Sequence, residues 1–115
     1  MILQREVVLI SFPFSDLETA KVRPVVVLSR DSYNLHSEDF IAVPLTSNLK
    51  LTDYAMLITN EDLESGKLVV DSKAKVDRVF AVRQSLVRTR VGRLKIETHQ
   101  KRVRILAGLV GAAKR

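Results

Sequence analysis

At 115 residues the chain has the size of one domain, and its 46% apolar content supports folding over disorder. It contains no cysteine, which excludes disulfides, thiolate metal sites and cysteine nucleophiles and is compatible with a reducing compartment. The net charge is +6 and unevenly spread: residues 1–72 hold 6 Lys/Arg against 11 Asp/Glu, residues 73–115 hold 13 against 2, so an anionic partner, nucleic acid or an acidic protein segment, is expected.

Met1 to Glu6 has no long apolar core, so no signal peptide is expected. No apolar run approaches the ~20 residues of a membrane helix, and a cytoplasmic, membrane-free location is the expectation. Val7 to Phe12 is a continuous apolar run rich in β-branched residues and predicts a buried strand, which Pro13 ends. Ser15 to Lys21 is polar and predicts a loop. Arg23 precedes a proline, which favours extended geometry, and Pro24 to Leu28 predicts a second strand. Asp31 to Asp39 is polar and loop-like. Phe40 to Val43 predicts a third strand, from which Pro44 to Lys50 turns away. Tyr54 to Ile58 predicts a fourth, and Asn60 to Gly66 a turn or helical turn ending at glycine. Lys67 to Val70 predicts more strand, followed by alternation from Lys73 to Val82, and Leu86 to Val91 one further short strand. Val103, Leu106, Ala107 and Val110 follow the spacing of one helix face, with Lys101, Arg102 and Arg104 largely off it. An amphipathic helix is therefore predicted from about Ile96. The fold class is mainly β with a C-terminal helix: a small curled sheet of five to seven strands, one domain over residues 1–115.

Two segments read as one site. Lys21-Val22-Arg23-Pro24-Val25-Val26-Val27-Leu28-Ser29 and Ile41-Ala42-Val43-Pro44-Leu45-Thr46-Ser47 each set a polar group that can handle a phosphate at the end of an apolar run. Upstream stands Phe12-Pro13-Phe14-Ser15-Asp16. This order resembles the MazF/PemK family of toxin endoribonucleases. Leu63 to Leu68, Asp71 to Arg78, and Val91-Gly92-Arg93-Leu94 also look like family stretches, with Gly92 expected as a turn residue. The chain departs from the family at Arg5-Glu6, where Gly-Asp is frequent. The resemblance implies an SH3-like barrel (CcdB/MazF-like) and a homodimeric, metal-independent endoribonuclease toxin without cofactor. Such an enzyme cleaves single-stranded RNA at a short sequence through the 2′-hydroxyl, leaving 2′,3′-cyclic phosphate and 5′-hydroxyl ends. A cognate acidic antitoxin would neutralise it.

The chemistry has to deprotonate the 2′-oxygen, stabilise charge on phosphorus and release the 5′-oxygen. Arg23 suits the charge, since guanidinium is always ionised and binds phosphate through paired hydrogen bonds. Taken alone it also reads as a solvated arginine at a strand end. The Thr46 hydroxyl can hold a phosphate oxygen or the 2′-hydroxyl, assisted by Ser47; taken alone, both read as turn formers. Glu18 is the candidate base by its offset from Arg23 in the family, with Asp16 as competitor or RNA contact. Phe14 and Tyr33 are candidates to stack on bases, and Lys21, Arg78, Arg83 and Arg88 to meet phosphates. Phe12, Phe40 and Phe80 read as core. His36 and His99 are expected at the surface, although His36 could reach substrate. No metal-ligand spacing, Gly-rich phosphate loop or nucleophile elbow occurs. The catalytic loops fall in the acidic half, so RNA binding requires the basic half, or a second subunit, to reach them. Two alternatives stay open: a non-enzymatic, CcdB-like gyrase-binding toxin, and a nucleic-acid-binding barrel without turnover.

Overall fold

The computed structural model describes residues 1–12, 21–50 and 52–112. Their strands are β1 (Glu6–Phe12), β2 (Lys21–Val27), β3 (Asp39–Thr46), β4 (Ala55–Ile58), β5 (Leu63–Gly66), β6 (Ser72–Lys75), β7 (Phe80–Arg83) and β8 (Val87–Leu94). Helix α1 (Asp31–Leu35) lies between β2 and β3, and α2 (Ile96–Leu109) ends the fold. Neighbours run β4-β6-β3-β2-β1-β8-β5, and β7 pairs β3 off that path. All these pairs are antiparallel. The result is the expected class, a curled, mainly β sheet with a C-terminal helix, with eight strands rather than five to seven.

The central strands are buried on both faces. Val7, Val26, Val43 and Leu45 belong to one apolar cluster, against which Ile105 and Leu106 of α2 pack. Val8, Ile10, Val25, Val27, Phe40 and Ala42 belong to the other, with Ile2 and Leu86. Adjacent residues on a strand point opposite ways, so a strand covered on both sides reads as an unbroken apolar run. The outer flank of β3 is divided. Asp39 to Ala42 pair with β7, whereas Leu45 and Thr46 pair with Ala74 and Lys73 of β6. The turn between β6 and β7, closed by the Arg78 N–H on the Lys75 carbonyl at 2.9 Å, is what breaks the expected Lys73–Val82 alternation.

Several local expectations are corrected. Asp31 to Asp39 contains α1, not only loop. Asn60 to Gly66 is a 3₁₀ turn, Asn60–Asp62, followed by β5. Lys67 to Val70 is not strand. The Asn60 side chain occupies the backbone there, accepting from the Leu68 N–H at 2.6 Å and donating to the Leu68 carbonyl at 3.2 Å, and Val69 is 97% exposed. Gly92 is no turn residue. It lies inside β8 opposite Gly66, and a Cβ on it would stand 2.5 Å from the Ser65 carbonyl oxygen, so close approach, not a special backbone angle, requires glycine. Among the described residues the non-glycine in the left-handed region is Arg5, at φ 77°, where the resembled family often has glycine. Its backbone donates to the Val27 carbonyl and accepts from the Leu94 N–H. Its side chain donates to the Leu94 carbonyl and pairs with Glu64 at 3.0 Å.

The inward face of α2 also differs. Val103 and Val110 are exposed, while Thr98 and Arg102 are buried. Arg102, expected off the apolar stripe, is 0% exposed and donates from Nη2 to the Val27 carbonyl at 2.9 Å. The same Nη2 lies 2.7 Å from Nδ1 of His99; with His99 neutral, that nitrogen accepts. Nε and Nη1 of Arg102 are buried with no hydrogen-bond partner among the described residues. Burial lowers the Arg102 pKa to about 9. His99, expected at the surface, is partly buried; burial first, then the charges of Arg102 and Arg5, lower its pKa to about 4. At the start of α2 the Lys95 N–H donates to the Asp62 carbonyl at 2.8 Å and the Thr98 hydroxyl reaches Asp62 at 3.4 Å, tying the helix to the turn between β4 and β5.

Candidate active site

The two polar groups singled out from sequence lie at the same end of neighbouring strands. Arg23 is exposed on β2, opposite Ile10 of β1. Thr46 is the last residue of β3 and is half-buried. The β2–β3 ladder pairs Val27 with Ala42, Val26 with Val43 and Val25 with Pro44, and there it stops. Pro24 and Pro44 both sit at this terminus, and neither has an N–H to extend it. Continued by two residues, the same register sets Arg23 opposite Thr46, on the face that carries Val25. Beyond the prolines β3 swings to β6 instead. The Thr46 Oγ1 accepts from the Asn48 N–H at 3.2 Å and retains its own O–H for donation. The turn-forming role is therefore present and compatible with a second one.

Other candidates divide by position. Lys21 opens β2, exposed, opposite Phe12. Ser47 follows Thr46 and is exposed. Arg88 lies one residue from Val87, which pairs with the Ile10 that faces Arg23. The register slip between Leu9 and Ile10 makes Arg88 the extra, bulged residue, a device that re-aims side chains. Arg78 is exposed on the β6–β7 turn, outside β3 where its flank changes strands. Tyr33 and Arg83 are not brought to this group. Tyr33 is on α1, which joins the far ends of β2 and β3, and four strand residues from Val27 back to Arg23 span about 13 Å. Arg83 pairs with Asp39 and bonds Glu38 at 2.8 Å at that far end. His36 is there too, exposed, with Nδ1 2.9 Å from the Ser32 carbonyl oxygen. Phe14, Asp16 and Glu18 lie outside the described residues, as does the side chain of Phe12. Phe40 is buried and Phe80 packs against the second cluster, as expected. Among the described residues no three His, Asp or Glu side chains group as a metal site, and no helix is long and apolar enough to cross a membrane.

The sequence profile of the PemK-like, MazF-like toxins of type II toxin–antitoxin systems matches residues 3–109. The chain belongs to this family. No curated protein matches it by sequence. Among solved structures it is similar to an endoribonuclease in complex with its cognate antitoxin from mycobacterial species, at TM-score 0.80 and 16% identity, covering 100% of each chain. It is also similar to MazF in a MazE–MazF complex from Deinococcus radiodurans, at TM-score 0.79 and 18% identity, covering 97% of this chain and 98% of that one. A third is the Mycobacterium tuberculosis toxin MazF-mt6, at TM-score 0.76 and 14% identity, covering 96% and 100%. At such identities these likenesses establish the fold.

In this MazF-like toxin the basic half of the chain does reach the acidic half. Strand β8 brings Arg88 beside β1, the β6–β7 turn brings Arg78 beside β3, and β6 sets Lys73 directly across from Thr46. Lys73 was not picked out by sequence reasoning. It is 5% exposed and its Nζ donates to the Lys50 carbonyl. The sequence offered no signal, because Lys73 stands at a polar position of the alternating stretch, opposite in sense to Ala74 and Val76, where solvated lysines are the common case.

Proposed function

We propose that this protein is a metal-independent endoribonuclease toxin acting on single-stranded RNA. What supports the reading is that Arg23 and Thr46 belong to the same end of β2 and β3, just beyond the last paired residues Val25 and Pro44, in a chain of the MazF-like family. The 2′-oxygen attacks phosphorus and gives its proton to a base, for which Glu18 is the candidate. The P–O5′ bond breaks, the departing oxygen takes a proton, and a 2′,3′-cyclic phosphate remains. Arg23 bears the charge on the phosphoryl oxygens, and the Thr46 hydroxyl holds a nonbridging oxygen or the attacking 2′-hydroxyl. Arg88, Arg78 and Lys21 would guide the flanking phosphates. Tyr33 and Arg83 would meet only RNA long enough to run along the hairpin.

A homodimer and neutralisation by an acidic antitoxin complete the proposal; one similar structure is of an endoribonuclease in complex with its cognate antitoxin, and another is of MazE–MazF. The test is a pool of varied RNA incubated with wild type in EDTA, beside Arg23→Ala and Thr46→Ala. Cleavage is expected only from wild type, with each variant slowed by roughly 10²-fold or more. Equal cleavage by all three removes the site, and intact RNA with wild type removes the activity. Gyrase inhibition by Arg23→Ala would favour the non-enzymatic alternative.

A further inference from the structure

We propose that Lys73 is a positioning residue of the RNA-cleaving site, clamping the Ser47–Lys50 loop and thereby fixing the Thr46 hydroxyl. The inference rests on the reading above. Lys73 pairs with Thr46 across the β3–β6 ladder and with Leu57 across β4–β6. Directly opposite residues share a face, with Cβ atoms about 5 Å apart. A buried ammonium is costly unless it is bonded, and this one is fixed on the Lys50 carbonyl. The loop it grips has little else to hold it: Ser47, Asn48, Leu49 and Lys50 are all exposed. Its internal order is a relay of hydrogen bonds. The Lys50 N–H donates to Asn48 Oδ1 at 3.1 Å, and the Asn48 N–H donates to Thr46 Oγ1 at 3.2 Å. One end of this relay is therefore the hydroxyl proposed to hold the reacting phosphate, and the other is the Lys73 ammonium. Releasing Lys50 frees the Asn48 amide and with it the orientation of the Thr46 hydroxyl.

The absence of native cysteine makes the test selective. Lys73→Cys is alkylated in denaturant with either an aminoethyl group, which restores an ammonium at the original reach, or a neutral ethyl group, and each product is refolded. Expected for Lys73→Cys and for its ethyl form is a kcat on RNA lowered roughly 10- to 100-fold, as for a displaced catalytic group, with KM within about threefold; aminoethylation returns most of kcat. Hydrogen exchange at the Asn48 and Lys50 amides is expected to quicken in the same two forms and slow again in the aminoethyl form. Equal recovery with both caps, which makes Lys73 a space-filler, overturns the proposal. So does wild-type kcat in Lys73→Cys, or unchanged exchange. If Lys73→Cys does not fold, Lys73→Met carries the same kcat and exchange comparison. Wild type that cleaves no RNA defeats the enzymatic reading, while the exchange measurement still decides the clamp on its own.

Discussion

Replacing Arg102 with methionine should make the protein more stable. The guanidinium is fully buried, yet only Nη2 is bonded, and Nε and Nη1 have no partner. Burial lowers its pKa from the ordinary arginine range to about 9, which at 1.36 kcal/mol per unit sets about 5 kcal/mol against the charged form. Against this stand two charge-assisted bonds from Nη2, to the Val27 carbonyl and to Nδ1 of His99, about 3 kcal/mol together. Methionine is smaller, and the void it leaves costs about 1 kcal/mol. Removal strands nothing: the Val27 carbonyl keeps the Arg5 N–H at 3.0 Å, and Nδ1 of the partly exposed His99 can turn to water. The net gain is about 1 kcal/mol, at the low end of the range found when buried charges are replaced by apolar groups. For a domain of this size that raises Tm by roughly 4 °C. Thermal unfolding followed by circular dichroism at neutral pH measures it. A Tm below wild type would refute the reasoning, because the two bonds of Nη2 would then outweigh the cost of burying the guanidinium.

His99 makes stability depend on acid. Its folded pKa, about 4, lies below the ordinary histidine value of 6.5, so the unfolded chain binds the extra proton and stability rises with pH between those values. Discounted for partial exposure, wild type should lose about 1–2 kcal/mol more than His99→Gln on going from pH 7 to pH 4; parallel urea midpoints for the two would sink this. Gly92→Ala should destabilise by about 2 kcal/mol or more, since the Cβ would meet the Ser65 carbonyl, which is backbone and cannot swing aside; a Tm within a degree of wild type would contradict it. At Arg5 two truncations are informative. Both Arg5→Gly and Arg5→Ala lose the Glu64 pair, but only alanine keeps the left-handed strain, so glycine should be the more stable by about 1 kcal/mol in equilibrium unfolding.

How much of this was legible depends on the kind of signal. Strands β1 and β2 could be read because runs of Val, Leu and Ile mark segments buried on both faces. The Arg-Pro and Pro-x-Thr segments could be read because each proline ends a ladder beside the polar group of interest. Lys67 to Val70 misled because its apolar residues suggest a strand, whereas the Asn60 amide takes the backbone bonds of Leu68. The apolar stripe of α2 misled because no periodicity rule expects an arginine to be the inward residue, and Arg102 is held by a carbonyl on a strand 75 positions away. Lys73 and the bulge at Arg88 depend on which strands meet, and pairing between distant segments leaves no trace in local composition.

The sheet order has one more implication. Its first and last strands, β4 and β5, are each four residues long and are successive in the chain, linked by the Asn60–Asp62 turn that α2 grips through Asp62. The ring is thus fastened by covalent chain and a helical buckle where a closed barrel would use another ladder. A nick between Asn60 and Glu61 would spare every strand pairing and still let the hoop spring open, and neither four-residue rim offers a stranger's strand much length to zip onto.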